Sequence, residues 1–119
     1  MSNLTENINM TVATCFQESA KAGWWDGGVT AETFAVKLML IVSEVAEAME
    51  ADRKDAMDDK LPHRKGTEVE LADAVIRIFD LAGMFGLDLG GAMSEKLAYN
   101  KTRLDHKKEA RAAPGGKKY

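Results

Sequence analysis

The chain of 119 residues contains one cysteine and two prolines, and each scarcity excludes a class of protein. A single thiol, Cys15, cannot close a disulfide within the chain, which argues against the disulfide-rich secreted domains. The two prolines, Pro62 and Pro114, leave long stretches without a helix breaker. Those stretches are rich in Ala, Leu, Met, Glu and Lys, which favour helices over strands. We therefore expect an all-α fold.

The sequence also lacks a long apolar run and an excess of basic residues. No window approaches the ~18 apolar residues that a membrane span requires, and the first residues do not resemble a signal peptide. The net charge is −3, because 19 acidic side chains outnumber 16 basic ones. Proteins that bind nucleic acid through its phosphates need a clustered basic surface. We expect neither a membrane nor a nucleic acid as partner, and a cytoplasmic location.

Hydrophobic periodicity predicts four helices in a single domain, residues 1–111. The predicted helices span about 4–22, 30–54 with Thr30 as N-cap, 67–86 and 89–111. The charged segment 55–66 has no clear period, so we interpret it as a loop or a frayed helix end. Thr67 and Glu70 have the spacing of a capping box at the start of the third helix. Residues 112–119 are predicted to form a disordered basic tail.

Two pairs of acidic residues stand three positions apart, Glu44 with Glu47 and Glu70 with Asp73. This spacing places both carboxylates of a pair on one helical face, so each pair can share a cation. Apolar residues border both stripes on the helical wheel, where uncompensated carboxylates are costly. Carboxylates without a nearby Cys or His favour Mg²⁺ or Mn²⁺ over zinc or copper. Two alternatives stay open: Glu70 as a helix cap, and Glu44 with Glu47 as solvent-exposed charges.

These acidic segments resemble a known enzyme family. The segment SEVAEAME, which begins at Ser43, and the segment EVELADAVI, which begins at Glu68, are similar to the E-E-x-x-E and E-x-x-D pattern of MazG-like nucleoside triphosphate pyrophosphohydrolases. The segment KLAYNKTR, which begins at Lys96, is similar to that family's K-x-x-x-N-x-x-R segment. The similarity covers about residues 23–103. The sequence departs from the pattern at Ser43, where the family has the first glutamate of its E-E pair.

The resemblance implies a four-helix bundle that assembles as a dimer or tetramer. It also implies an enzyme that uses Mg²⁺, with Mn²⁺ as a substitute, to cleave a (d)NTP to the monophosphate and pyrophosphate. A purine nucleotide such as dGTP is one candidate substrate, and the cytoplasm would be that of a bacterium or of a phage-infected host. The implied metal ligands are Glu44, Glu47, Glu70 and Asp73. Glu47 is our choice for the general base, because it comes second in its pair and could serve both metal and water.

Further residues are candidates for binding the substrate. Lys96 and Arg103 share a helical face with Asn100 between them, which suits contact with phosphates. Trp24 or Trp25 is expected to stack on the nucleobase, with core packing or an oligomer contact as the alternative. The two adjacent tryptophans cannot both point inward. A function of a different class stays open as well, namely a non-enzymatic module whose Leu and Met stripes pair with a partner helix.

Overall fold

The structure, a computed structural model, describes residues 3–119. Over that range the chain is helical and contains no β-strand, which confirms the all-α prediction. None of the helices in this range is long and apolar enough for a membrane span. The helices are α1 (Asn3–Lys21), α2 (Thr33–Lys54), α3 (Gly66–Met84), α4 (Leu89–Thr102) and α5 (Lys108–Ala112), with a short 3-10 helix, Leu104–His106, before α5.

The central helix is α3, which packs against both α1 and α2. α2 and α3 run antiparallel: Ala51 near the end of α2 faces Gly66 at the start of α3, and Glu44, earlier in α2, contacts Arg77 far along α3. A Cβ added at Gly66 would lie 2.9 Å from the Cβ of Ala51. The glycine therefore lets the two helices approach closely where the chain returns.

The contact between α1 and α3 contains the apolar core. Ile8 and Val12 of α1 are buried against Ala82 of α3, with Phe79 and Leu89 packed beside them. Ile8 and Val12 are four positions apart on α1, and Phe79 and Ala82 are three apart on α3. Each of the two helices thus turns one apolar stripe toward the other. The core therefore fixes α3 in place.

Hydrogen bonds join α1 to α4. The hydroxyl groups of Thr5 and Ser94 lie 2.6 Å apart. The side-chain oxygen of Asn9 accepts a hydrogen bond of 2.9 Å from the backbone N–H of Gly90, at the start of α4. The carboxylate of Asp88 caps α4 by accepting from the backbone N–H of Gly91 at 2.9 Å. α4 is thus held mainly through α1.

The starts of α2 and α3 differ from the prediction. The residue that precedes α2 is Glu32, not Thr30, and the Thr30 hydroxyl instead accepts from the backbone N–H of Glu32 at 3.3 Å. At the start of α3, the carboxylate of Glu68 accepts from the backbone N–H of Lys65 at 3.1 Å. The capping box predicted from Thr67 and Glu70 is therefore wrong, because the N-cap of α3 is Lys65, two residues before Thr67.

The end of the fourth helix also differs from the prediction. α4 ends at Thr102 rather than at residue 111, because Arg103 adopts an extended conformation with φ −70° and ψ 124°. The Arg103 guanidinium lies 2.7 Å from Asp105, a contact between residues two apart that a continuous helix does not allow. Farther on, the ammonium group of Lys117 lies 3.3 Å from Asp105. The boundary between a domain at 1–111 and a tail at 112–119 stays a prediction.

Candidate functional site

Three of the four predicted metal ligands lie together between α2 and α3. We call Glu44, Glu47 and Glu70 the acidic cluster: each offers a carboxylate oxygen, and these oxygens all lie within 4.8 Å of one another. Glu44 is buried, with 9% of its surface exposed, whereas Glu47 is exposed and Glu70 is half-buried. The antiparallel pairing brings the two stripes face to face, and Glu44 does not face water as the alternative supposed.

Asp73, the fourth predicted ligand, lies outside the acidic cluster as the structure describes it. It is half-buried on α3, about one helical turn after Glu70. Burial is the main reason that the pKa of Asp73 is raised, and the charges of Glu44 and Asp58 add to it. Asp73 therefore contributes to the negative field of the site without joining the closest group of oxygens.

Burial and the neighbouring carboxylates together raise the pKa of Glu70. Partial burial is the largest cause that raises this pKa from its usual 4.5 to about 7, and a hydrogen bond with Glu47 and the charge of Glu47 follow. Glu44 and Asp73 raise it further. The raised pKa favours the protonated form of Glu70 in the metal-free cluster, which relieves the repulsion. A divalent cation can relieve the same repulsion.

The donor set fits a hard divalent ion. All three donors are carboxylates, the ligand type that Mg²⁺ and Mn²⁺ prefer. Two oxygens bound to one Mg²⁺ are at most about 4.2 Å apart, twice the metal–oxygen distance, so oxygens within 4.8 Å need only small side-chain rotations. Ser43, at the position where the resembled family has a glutamate, donates its hydroxyl to the carbonyl of Leu40 at 2.6 Å. Its hydroxyl is therefore engaged on α2 itself.

Arg77 is a residue of the site to which the sequence reasoning assigned no role. Its Nε donates to Oε1 of Glu44 at a distance of 2.9 Å. The Arg77 side chain is 42% exposed and that of Glu44 only 12%, so the arginine reaches from the surface to the buried carboxylate. The available sequence signal was that Arg77 follows Asp73 by four positions on the same helical face.

The two tryptophans occupy different environments. Trp25 is half-buried, its indole N–H donates to Asp80 at 2.9 Å, and its ring meets that of Phe85 edge to face at 6.3 Å. The Lys37 ammonium lies 4.7 Å from the centre of the Trp25 ring. Trp24 is 73% exposed. Trp25 thus ties the segment after α1 to α3, and Trp24 presents an open ring surface.

The predicted phosphate contacts, Lys96, Asn100 and Arg103, lie along α4 and its end. The Lys96 ammonium lies 4.9 Å from the centre of the Tyr99 ring, beside an open depression of about 610 Å³. The side-chain oxygen of Asn100 is buried without a hydrogen-bond partner. Among residues 3–119, no hydrogen bond or ion pair joins these three side chains to the acidic cluster. Within one chain the two groups are therefore separate.

Protein-family models, curated proteins and solved structures were each compared with this chain, and none of them matches it.

Proposed function

We propose that the protein is a Mg²⁺-dependent pyrophosphohydrolase that cleaves a (d)NTP to the monophosphate and pyrophosphate. A purine nucleotide such as dGTP is one candidate substrate. The observation that carries this proposal is the convergence of Glu44, Glu47 and Glu70 from two helices. Helix capping does not explain Glu70, because Glu68 makes the cap. Solvent exposure does not explain Glu44, because it is buried. The resemblance of residues 23–103 to the MazG-like family indicates the reaction.

The chain's own residues can divide the work of such a reaction. A bound Mg²⁺ would neutralise phosphate charge and lower the pKa of a coordinated water. Glu44, Glu47 and Glu70 would hold the ion, and Asp73 would add negative charge from the next turn of α3. Glu47 is exposed, so it can accept a proton from the attacking water. Trp24 offers its open ring to a nucleobase.

A second copy of the chain completes the proposal. Apolar residues of α2 form an exposed stripe that comprises Leu38, Val42, Val45 and Met49, each 45–58% exposed. The radius of gyration is 17.5 Å, whereas a compact chain of this length has about 13–14 Å. A dimer or tetramer would cover the stripe, and could bring Lys96, Asn100 and Arg103 of one copy to the cluster of another. Light scattering at micromolar concentration tests this, and a monomer contradicts it.

The deciding experiment is a substrate screen. The protein is incubated with Mg²⁺ and each of the eight common (d)NTPs, and released pyrophosphate is measured. We expect turnover of at least one nucleotide, loss of turnover in excess EDTA, and recovery with Mn²⁺. Damaged nucleotides extend the screen to a housecleaning role. Absence of pyrophosphate from every nucleotide, or turnover that persists in EDTA, contradicts the proposed activity.

The second candidate is a non-enzymatic helical module, and the exposed stripe on α2 is the observation that favours it. The module would pair that stripe with a partner helix and would not need a cation with a nucleotide. A thermal shift separates the two functions. The enzyme gains stability from Mg²⁺ together with a nucleotide, because the ligands bind the folded state, whereas the module's melting temperature stays unchanged.

A further inference from the structure

The contact between Arg77 and Glu44 is unusual among the ion pairs of this protein. Within residues 3–119 it is the ion pair that connects two of the four long helices. The others join neighbours along one helix, or lie in loops and the C-terminal segment. Exposed pairs between close neighbours contribute little to stability. The Arg77 pair is different because its carboxylate is buried and belongs to the acidic cluster.

The geometry of this contact leaves part of the carboxylate available. Nε of Arg77 donates to Oε1 of Glu44, and no other hydrogen bond from Arg77 to Glu44 occurs among the described residues. A two-point contact would occupy both oxygens. The single contact instead orients the carboxylate through Oε1 and leaves Oε2 without a bond to Arg77. Carboxylate oxygens of Glu44, Glu47 and Glu70 lie within 4.8 Å of one another.

We infer that Arg77 is a positioning residue that holds the Glu44 carboxylate in the orientation needed to bind a divalent cation together with Glu47 and Glu70. This inference rests on the proposed function, because it requires that the acidic cluster bind a metal ion. Groups that hydrogen-bond to metal ligands fix the orientation of those ligands, and losing one typically costs about 10–100-fold in metal affinity.

The opposite role predicts the opposite sign. If Arg77 merely substitutes for an absent cation, a metal ion has to displace it, and removing the arginine strengthens metal binding. Simple electrostatics predicts the same strengthening, because a positive charge near the site repels the ion. Only positioning predicts that the site binds a cation less tightly after a nearby positive charge has been removed.

The test measures Mn²⁺ binding by electron paramagnetic resonance and isothermal titration, without substrate. Wild type is compared with Arg77→Gln, Arg77→Lys and the matched control Arg53→Gln. The control removes the same charge from an exposed pair with Glu50, in which the charged atoms lie 3.0 Å apart. We expect Mn²⁺ affinity to fall about 10–100-fold in Arg77→Gln and to stay within about twofold in the control. Arg77→Lys keeps the charge and an N–H donor that can reach Glu44, so its affinity should lie between the other two.

The outcomes distinguish the two proposals. If wild type does not bind Mn²⁺, the proposed function fails, and this inference fails with it. If wild type binds Mn²⁺ and Arg77→Gln binds it equally or more tightly, the positioning role alone is overturned. Circular dichroism checks that the variants are folded. Should Arg77→Gln not fold, Arg77→Lys carries the test, and wild-type affinity in that variant contradicts the inference.

Discussion

The two helix contacts made by α3 are built in opposite ways. Against α1, apolar residues such as Val12 and Ala82 are buried together. On α2, the buried residues are Glu44 and the small Ala48, while Val42 and other large apolar residues face outward. An interior of apolar residues stabilises a fold, whereas a buried carboxylate costs free energy unless it is neutralised. The difference indicates that the α1 contact maintains the fold, whereas the α2 contact holds carboxylates that require neutralisation.

Neutralising one carboxylate of the α2 contact should have the largest effect. We expect Glu47→Gln to lower the rate of pyrophosphate release by at least about 100-fold, because both the ion and the proton acceptor depend on this carboxylate. Glu50→Gln is the matched control on the same helix, since Arg53 and Lys54 already neutralise Glu50 at the surface. A Glu47→Gln variant that releases pyrophosphate at the control's rate would remove Glu47 from the mechanism.

Crowding the α1 contact should lower stability rather than activity per folded molecule. A Cβ added at Gly83 would lie 2.5 Å from the Cβ of Phe16, and one added at Gly27 would meet nothing within 4 Å. We expect Gly83→Ala to lower the free energy of unfolding by about 1–3 kcal/mol, and Gly27→Ala to change it by less than about 0.5 kcal/mol. Urea unfolding measures both. Equal stability of the two variants would show that α1 does not pack this closely on α3.

The pH dependence of stability should come from the α2 contact. In metal-free protein the pKa of Glu70 is raised from 4.5 to about 7, so the folded state binds the proton more tightly than the unfolded state. The contribution of Glu70 to the free energy of unfolding is therefore complete below about pH 4.5, and it is lost as the pH rises to about 7. The full shift corresponds to about 3 kcal/mol, which solvent access reduces to about 1–2 kcal/mol.

The substitution Glu70→Gln removes this pH dependence. Urea unfolding in EDTA gives the free energy of unfolding of the variant and of wild type at each pH. The variant's value minus that of wild type should be about 1–2 kcal/mol larger at pH 8 than at pH 5. The same difference at both pH values would contradict the repulsion that the cluster implies.

The smallest expected effect concerns the cap of α3, which lies outside both helix contacts. Glu68→Ala removes the acceptor for the backbone N–H of Lys65 and should cost about 0.5–1 kcal/mol. Thr67→Ala, at the position that the sequence pattern favoured as the cap, should cost less. Thermal unfolding compares the two variants. A larger loss in Thr67→Ala would restore the predicted capping box.

Several features could be recognised before the fold was known because they depend on local order. Helical spacing identified the first four helices, and a separation of three positions placed Glu44 with Glu47 on one face and Glu70 with Asp73 on another. The expectation that Trp24 and Trp25 differ in burial is confirmed, since two adjacent side chains on a turn diverge. Such periodicity is a property of the backbone and is present in any helix of this sequence.

Other features required contacts between residues distant along the chain. The register of α2 on α3 determines which three of the four acidic side chains come closest. It also brings Arg77 to Glu44, which lies 33 positions earlier in the chain. Beyond the end of α4 at Thr102, Asp105 contacts both Arg103 and Lys117, and Lys117 lies 12 positions farther along the chain. The helical period determines which residues share one face of a helix. It does not determine which face of a neighbouring helix packs against that face. Packing at Gly66 and Gly83 decides that, because those positions let the backbones approach.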